Sequence, residues 1–295
     1  MSDARSARET MPAAFIGHGS PMNTLEHNAY TETWADLGVR MPRPRAILSI
    51  SAHWFVNVTA VTAMARPPVI HDFYGFPDQL FAFDYPAPGS PDLASEVADL
   101  LRPTYVGMDH DSWGIDHGTW SVLAHVFPDA DIPVVQLSID ATRPIEDHVE
   151  LGRRLAPLRD SGVFVVGSGN VVHNLRLLDP RQPDDGTDWA HRFDEAAREI
   201  MRERPGDVAE LAEHPDARLA VPTPEHFLPL AYFAGLADVA DDDVELLVGG
   251  YQLGSLSMTS YGLGLGRGPT ADAEVHASDD ALPDPAVVPP ESTNL

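Results

Sequence analysis

The chain of 295 residues is 43% hydrophobic, which is enough for a substantial core, and no run of eighteen apolar residues predicts a membrane span. It has no cysteine, which excludes disulfides, thiolate metal sites and a cysteine nucleophile, so that any metal must be held by histidine or carboxylate side chains. The formal net charge of −26 predicts neither a nucleic-acid partner nor a membrane partner, because an acidic surface repels both.

The acidic balance also bears on the environment of the protein. All 19 basic residues are arginine, and 45 acidic residues outnumber them. This halophilic composition favours adaptation to high salt, where screening at molar ionic strength shortens charge repulsion to a few ångström. The alternative is an ordinary acidic protein from a GC-rich genome, which also favours arginine over lysine. Unfolding curves in low and in molar KCl separate the two, because only a salt-adapted chain loses stability in low salt.

The two ends of the chain are predicted to lie outside a domain that spans residues 12–265. Residues 1–11 are polar and lack the apolar segment of a secretory signal, which predicts a flexible leader on a cytoplasmic protein. Residues 266–295 are rich in proline, alanine, aspartate and serine, which predicts a disordered acidic tail. His276 lies in this tail and is not expected to bind metal. Assembly into a homo-oligomer stays open.

Between these ends, short apolar runs alternate with helical patterns. The apolar runs predict buried strands at 13–16, 46–51, 58–63, 133–139, 163–168 and 244–248, and an alternating pattern predicts an antiparallel or edge strand at 252–261. Apolar residues at helical spacing predict helices at 91–101, 145–158 and 189–202. The alternation predicts an α/β fold, a single domain with a mostly parallel central sheet flanked by helices.

Three of the predicted strands each deliver a histidine at or just beyond the carboxyl end. His18 follows the first strand between two glycines that permit a tight turn, His53 follows the second, and His173 follows the strand at 163–168. One such histidine is compatible with an ordinary structural role. Three at the same edge of a parallel sheet, where ligands bind in such folds, predict a shared metal site. Imidazole suits zinc, iron, copper and nickel alike, so spacing does not choose the metal.

A fourth candidate ligand is His226. Thr223 fits a helix N-cap and Pro224 the first helical position, which places His226 in the first turn of a helix. The alternatives are a surface position for His226 and, for Glu225, a carboxylate placed there only because the helix dipole favours it.

A fifth histidine, His117, lies in a segment rich in aromatic residues and glycine, next to Asp116. An imidazole in such surroundings suits acid–base work or hydrogen bonding to a phenol, and capping of a following helix is the alternative. Trp54, Tyr74 and Trp113 are candidates for an aromatic wall that binds substrate, with core packing as the alternative.

The remaining sequence signals favour no other chemistry. The zincin pattern, the phosphate-binding loops and the nucleophile elbow are absent, and the segment Gly167–Gly169 lacks the elbow's spacing. His71 is expected to play a structural or supporting role. The histidines in helical or polar stretches are expected at the surface: His27, His110, His125, His148, His191 and His214.

Nine segments of the chain, in order, match one known family. They are FIGHGSPMNTLEHNAY (15–30), RPRAILSISAHWF (43–55), PPVIHDFYGFP (67–77), YPAPGSP (85–91), WGIDHGTW (113–120), DADIPVVQLSID (129–140), GSGNVVHNLR (167–176), PTPEHFLPL (222–230) and GSLSMTS (254–260). On these segments the chain resembles the class III (LigB-like) extradiol ring-cleavage dioxygenases, specifically their 4,5-DOPA dioxygenase extradiol branch. The match covers residues 12–262.

The resemblance implies a mononuclear site whose metal-binding histidines fall on His18, His53 and His226. His173 falls on a position that is metal-associated in this branch and is the catalytic base in the wider family. His117 matches a histidine that contacts substrate and would supply a proton or hydrogen bond. Better-studied relatives complete the site with a glutamate, so the motif of two histidines and one carboxylate is not reproduced here.

The resemblance also implies the reaction, namely insertion of O₂ into a catechol such as L-DOPA at one divalent metal per chain. Ring cleavage would require Fe²⁺, and Zn²⁺ is the other ion that the isolated protein would be expected to hold. Two alternatives remain at this point. One is a non-catalytic member of the superfamily that only binds metal or ligand, and the other is a zinc hydrolase on the same histidines.

Overall fold

The computed structural model describes residues 10–265, and the predicted leader over 1–9, the predicted tail and His276 lie outside the described residues. Met11, placed in the leader by the sequence, is 4% exposed, and its backbone N–H donates to the Arg159 carbonyl. The predicted domain bounds otherwise stay a prediction. No helix in the described part is long and apolar enough to cross a membrane.

The described elements alternate along the chain as the sequence predicts. The strands are β1 (Ala13–Gly17), β2 (Ala46–Val56), β3 (Ala60–Thr62), β4 (Gly107–Asp109), β5 (Val134–Asp140), β6 (Val163–Gly169), β7 (Val244–Val248), β8 (Tyr251–Gln252), β9 (Leu256–Ser257) and β10 (Ser260–Leu263). The α-helices are α1 (Ala29–Arg40), α2 (Asp78–Phe81), α3 (Pro91–Leu100), α4 (His117–Val126), α5 (Ile145–Leu155), α6 (Pro157–Asp160), α7 (Asp188–Glu203), α8 (Ala217–Ala220) and α9 (Leu228–Asp238). Short 3-10 helices span Pro21–Thr24, Leu175–Leu177 and Pro205–Glu213.

The centre of the molecule is a sheet that, within residues 10–265, has eight strands in the order β4-β3-β5-β2-β6-β1-β10-β7. The four central strands β5, β2, β6 and β1 pair in parallel, and β3 is antiparallel to β5 and parallel to β4. On the other side of β1, β10 is antiparallel to both of its neighbours, β1 and β7. The predicted α/β fold with a mostly parallel central sheet is confirmed. Because β1, β2 and β6 are adjacent and parallel, their carboxyl ends meet at one edge.

Helices cover both faces of this sheet, and this explains the uninterrupted apolar strands. Along β2, Leu48 packs into a core that includes Val149 of α5 and residues of α9, whereas Ile47 packs into a second core with Trp34 of α1 and Trp120 of α4. Successive side chains of a strand point to opposite faces, so a strand buried on both faces is mostly apolar along both.

The structure corrects two of the strand predictions. Strand β2 runs on from Ser51 to Val56, and its pairing with β5 shifts register between Ile50 and Phe55, so His53 lies within the strand. The predicted strand at 252–261 is three short strands, because Leu253 and Gly254 adopt left-handed conformations with φ of 53° and 75°. Its last part, β10, is antiparallel as predicted, but it lies between β1 and β7 rather than at an edge.

Two predictions on the helical side are also wrong. The helix predicted at 145–158 divides into α5 and α6, because Pro157 has no N–H and its ring clashes with the preceding turn. His148, expected at the surface, is fully buried on α5, where its Nδ1 lies 3.1 Å from the Tyr232 hydroxyl of α9.

The burial of His148 leads to a prediction about acid stability. Burial lowers the pKa of His148 to about 4, against an opposing effect of Asp140, whereas the unfolded chain keeps the ordinary value of 6.5. Above pH 6.5 neither state is charged here. Between pH 6.5 and about 4 only the unfolded chain takes up the proton, which lowers the free energy of unfolding by up to about 3 kcal/mol.

His148→Gln, which does not titrate, is therefore expected to lose less stability than the wild type between pH 7 and 4.5. Urea unfolding at a series of pH values measures the difference, with the exposed His27→Gln as the matched control. Parallel pH profiles for the wild type and His148→Gln would contradict the prediction.

Candidate metal centre

Five histidines meet at the carboxyl edge of the parallel strands, and none is more than 7% exposed. His18 follows β1, His53 lies in β2, and His173 lies beyond the end of β6. His117 is the first residue of α4, and His226 lies in the turn before α9. Each ring contacts another of the set, so the structure brings together all five histidines selected from the sequence.

Close backbone approach holds these histidines in place. A Cβ on Gly118 of α4 would lie 2.6 Å from the His53 Cδ2 atom, so the helix packs directly against this imidazole. A Cβ on Gly169 would lie 2.2 Å from the His226 carbonyl oxygen, and the turn that bears His226 therefore packs on the end of β6. Only glycine permits these two approaches without displacing a histidine.

Three of the imidazoles form a nearly regular triangle. The ring centroids of His18, His53 and His226 are 5.1, 5.4 and 5.2 Å apart, and the Nε2 atoms of His18 and His53 are separated by 3.3 Å. The Nε2 of His226 is buried and has no hydrogen-bond partner among the described residues. A buried ring nitrogen without a partner is costly, and the unpaired Nε2 of His226 beside this pair of imidazoles fits a metal ligand.

The ligand atoms themselves fall into two other sets of three residues. His18, His53 and His117 offer ligand atoms that all lie within 4.8 Å of one another, and so do His173, Glu225 and His226. The two sets are in contact, since the rings of His173 and His226 stack in parallel with centroids 3.5 Å apart. The whole arrangement is compatible with a single metal held by three histidines.

The hydrogen bond of Ser168 assigns the tautomer of His18. The Ser168 hydroxyl donates its one proton to the Gly118 carbonyl, so toward the His18 Nδ1, 2.9 Å away, it acts as an acceptor. The proton of His18 is therefore on Nδ1, and the lone pair is on Nε2, which faces His53. Metal-bound histidines commonly donate their other ring N–H in this way.

A Ser168→Ala variant is expected to bind metal about 10- to 100-fold more weakly, because His18 loses the acceptor that fixes its tautomer and ring orientation. Competition for Zn²⁺ with a chromogenic chelator measures the affinity. Ser49→Ala is the matched control, since Ser49 is also a buried serine but its hydroxyl pairs with Thr119. Equal affinities for Ser168→Ala and the wild type would rule out this role.

Carboxylates lie behind the other two members of the triangle. Asp72 Oδ2 lies 3.1 Å from the His53 Nδ1, and Glu225 Oε1 lies 3.5 Å from the His226 Nδ1. Asp72 was not selected from the sequence, although it lies in the matching segment at 67–77. The neighbouring His71 has a structural contact, its Nε2 lying 2.8 Å from the Phe83 carbonyl oxygen.

Burial sets the charge of these side chains. Burial, reinforced by the neighbouring histidines, lowers the pKa of His18 and His226 well below the ordinary value, so both imidazoles are neutral at neutral pH. Burial acts to lower the pKa of His53, but the Asp72 carboxylate outweighs it and raises that pKa. Burial acts to raise the pKa of Asp72, but His117 and His53 outweigh it, so Asp72 is an anion.

The turn before α9 differs from the prediction. The helix begins at Leu228, so Thr223 is not its N-cap and His226 is not in its first turn. Instead the Thr223 hydroxyl donates to Glu225 Oε1 at 2.6 Å and orients this carboxylate toward His226. The surface alternative for His226 is wrong, since it is 1% exposed, and Glu225 is also buried.

The structure decides the capping alternative for His117 but not the roles of the three aromatic residues. Asp116 provides the N-cap of α4, so capping does not explain His117, whose buried Nε2 has no hydrogen-bond partner in the part of the chain that the structure describes. Trp54 and Trp113 stack on each other with centroids 5.8 Å apart, whereas Tyr74 is 63% exposed. Substrate binding by these three aromatic residues stays a prediction.

Comparison with known proteins decides the family. The family model for the catalytic LigB subunit of aromatic ring-opening dioxygenase matches residues 13–264. The chain belongs to the LigB family. It is 49% identical over 258 residues to a 4,5-DOPA dioxygenase extradiol of Escherichia coli, covering 86% of this chain and 95% of the relative. A 4,5-DOPA dioxygenase extradiol of Beta vulgaris is 36% identical, with 84% of this chain and 94% of the relative covered.

A solved structure agrees with this assignment. The crystal structure of an uncharacterized Escherichia coli K12 protein superposes with a TM-score of 0.75 at 45% identity, covering 85% of this chain and 99% of that one. The predicted resemblance and enzyme class are thus confirmed, and the protein is a LigB-family extradiol ring-opening dioxygenase. The LigB family also accounts for the nine matching segments, which include all five histidines of the centre.

Proposed function

We propose that the protein cleaves the ring of a catechol such as L-DOPA by extradiol insertion of O₂, with one divalent metal held by His18, His53 and His226. The observation that supports this ligand set is the triangle of buried imidazoles, each with an oxygen within 3.5 Å of its Nδ1, in which the Nε2 atoms of His18 and His53 face each other. The substrate class follows the names of the Escherichia coli and Beta vulgaris relatives.

The metal proposed for ring cleavage is Fe²⁺, and Zn²⁺ is the other ion that this set of imidazoles suits. Bound Fe²⁺ would supply Lewis acidity toward the diol and the redox capacity for oxygen chemistry. The third ligand is proposed to be His226 rather than a carboxylate, because Glu225 approaches the Nδ1 of His226 and not the inward-facing Nε2.

Two further histidines are proposed to handle substrate. His173 would take the proton of a catechol hydroxyl as general base, and its ring is held against the proposed ligand His226 by the parallel stack. His117 would contact a substrate oxygen through its Nε2, which is buried and has no hydrogen-bond partner among the residues that the structure describes. Burial of all five histidines excludes water, which strengthens the hydrogen bonds that they make to substrate.

We also propose that the protein works in the cytoplasm, with a small aromatic diol and O₂ as its partners and neither nucleic acid nor membrane among them. The net charge of −26 supports this proposal and the proposed adaptation to high salt.

The test begins with protein loaded with Fe²⁺ in the absence of oxygen. L-DOPA is added, O₂ is admitted, and oxygen uptake is followed together with the yellow semialdehyde product. We expect one molecule of O₂ consumed for each catechol cleaved, and no uptake by the Zn²⁺-loaded protein. Absence of uptake with every catechol tried would remove the proposal, and ester hydrolysis by the Zn²⁺ form would favour a hydrolase.

A further inference from the structure

Asp72 contacts two histidines of the centre at once. Its Oδ1 accepts hydrogen bonds from the His117 Nδ1 at 2.7 Å and from the His117 backbone N–H at 3.2 Å. Its Oδ2 lies 3.1 Å from the His53 Nδ1 in an ion-pair contact, and neither atom has a hydrogen bond of regular geometry to any other residue that the structure describes. The carboxylate is 11% exposed, so water competes little for these contacts. Each oxygen of one carboxylate therefore faces the Nδ1 of a different imidazole.

A short parallel β-bridge between two loop segments brings this carboxylate to the histidines. Asp72 lies in the irregular segment between β3 and α2, and this segment is fastened at Val69, which forms a parallel bridge with Ile115. Two backbone hydrogen bonds form this bridge. The Ile70 N–H donates to the Ile115 carbonyl, and the Ile115 N–H donates to the Pro68 carbonyl. Three residues beyond Val69 and two beyond Ile115, the chain reaches Asp72 and His117.

A carboxylate anion accepts hydrogen bonds and cannot donate them. Both Nδ1 atoms that face Asp72 are therefore stabilised in the protonated form, which leaves the lone pair of each neutral ring on Nε2. For His53 this is the nitrogen that lies 3.3 Å from the His18 Nε2. For His117 it is the buried Nε2 without a protein partner.

We propose that Asp72 is a positioning residue that sets the tautomer and the ring orientation of His53 and His117 together. One side chain thus orients both the proposed metal ligand His53 and the proposed substrate contact His117. The inference deepens the proposed function and rests on it where His53 is taken as a ligand. The tautomers themselves do not depend on that function.

Asp72→Asn separates the two contacts. His117 presents two donors, its ring Nδ1–H and its backbone N–H, so the amide oxygen of the asparagine stays toward His117. The amide NH₂ then faces the His53 Nδ1 and donates to it, which moves the proton of His53 to Nε2 and blocks the metal lone pair. In Asp72→Ala, no side chain at this position favours either tautomer of His53 or His117. Metal affinity is therefore expected to fall in the order wild type, Asp72→Ala, Asp72→Asn, with Asp72→Asn weaker than wild type by about 10- to 100-fold or more.

The first experiment reads the tautomers without any turnover. Full-length protein with ¹⁵N-labelled histidine, stripped of metal, gives two-bond ¹H–¹⁵N spectra that distinguish the Nδ1–H from the Nε2–H form, with signals assigned by His53→Gln and His117→Gln. Because Asp72 raises the pKa of His53, the spectra are recorded in alkaline buffer, where the ring is neutral. We expect Nδ1–H for both rings in the wild type, and Nε2–H for His53 alone in Asp72→Asn. Finding Nε2–H for either ring in the wild type would overturn the proposal, even if every variant failed to fold.

The second experiment measures Zn²⁺ affinity by chelator competition, with far-UV circular dichroism as the check on folding. The matched control is Asp84→Asn, which makes the same change at an exposed aspartate near the same segment. Affinity that is equal in the wild type, Asp72→Asn and Asp72→Ala would overturn the role in metal binding. Correct tautomers in a protein that takes up no O₂ would contradict the proposed function and leave the role of Asp72 intact.

Discussion

Replacing His226 with alanine is expected to weaken metal binding by more than about 100-fold and to abolish ring cleavage, whereas replacing His117 leaves the metal bound. The reason is the direction of the ring nitrogens. The Nε2 of His226 is buried beside His18 and His53 with no hydrogen-bond partner between residues 10 and 265, and its removal takes away one of three proposed ligands. Loss of several kcal/mol of metal-derived stabilisation slows the reaction by about three orders of magnitude or more.

Metal content after dialysis against a weak chelator measures this difference, with the exposed His27→Ala as control. The comparison matters because His117 also offers a nitrogen within ligand distance of His18 and His53. Loss of metal from His117→Ala together with its retention in His226→Ala would reverse the assignment and make His117 the third ligand.

His173→Ala is expected to retain the metal and to lose about 100- to 10,000-fold in kcat, the range found when a general base is removed. His173 stacks on His226 rather than lying at a corner of the triangle, and for this reason we assign it to proton transfer. The loss should fall on kcat more than on KM, because the base acts in the transition state rather than in binding.

Initial rates of O₂ uptake at matched Fe²⁺ content test this prediction. His173→Gln serves as the companion variant, since glutamine preserves much of the packing against His226 but cannot act as a base. Undiminished uptake by both variants would remove the base assignment. Loss of metal from both would instead make His173 a ligand.

Much of the fold could be predicted because its physical causes are local. A strand covered on both faces is mostly apolar, so β1, β5 and β6 are visible as short apolar runs. The position of the centre followed from the same pattern, since parallel strands bring their carboxyl ends, and with them His18, to one edge.

Supporting residues escaped prediction because their roles depend on contacts that leave no periodic pattern. Asp72 lies in an irregular segment, and only the bridge between Val69 and Ile115 brings it to the histidines. Ser168 was considered only as part of a nucleophile turn and rejected, whereas its hydroxyl has a role as an acceptor for His18. The sequence did place Ser168 near the centre, because it lies at the carboxyl end of the predicted strand that becomes β6.

Two other errors had identifiable causes. Thr223 and Pro224 are as suitable for a tight turn as for a helix start, and the turn prevails because Gly169 accepts close packing of the His226 backbone. His148 was assigned to the surface by residue type, although it shares helical spacing with Leu151 and Leu155, which are both buried. The spacing was the better guide in this case.

The distribution of the five histidines along the chain has a consequence for how the protein acquires its metal during synthesis. His18 is made first and His226 last, and at a synthesis rate of about 5 to 20 residues per second roughly 10 to 40 seconds separate them. During that interval a nascent chain holds His18 and His53 but not the turn that closes the triangle. A metal ion that binds early meets an incomplete set of ligands and is readily released. On the proposed ligand set, selection among metal ions is therefore expected after translation, on the completed fold.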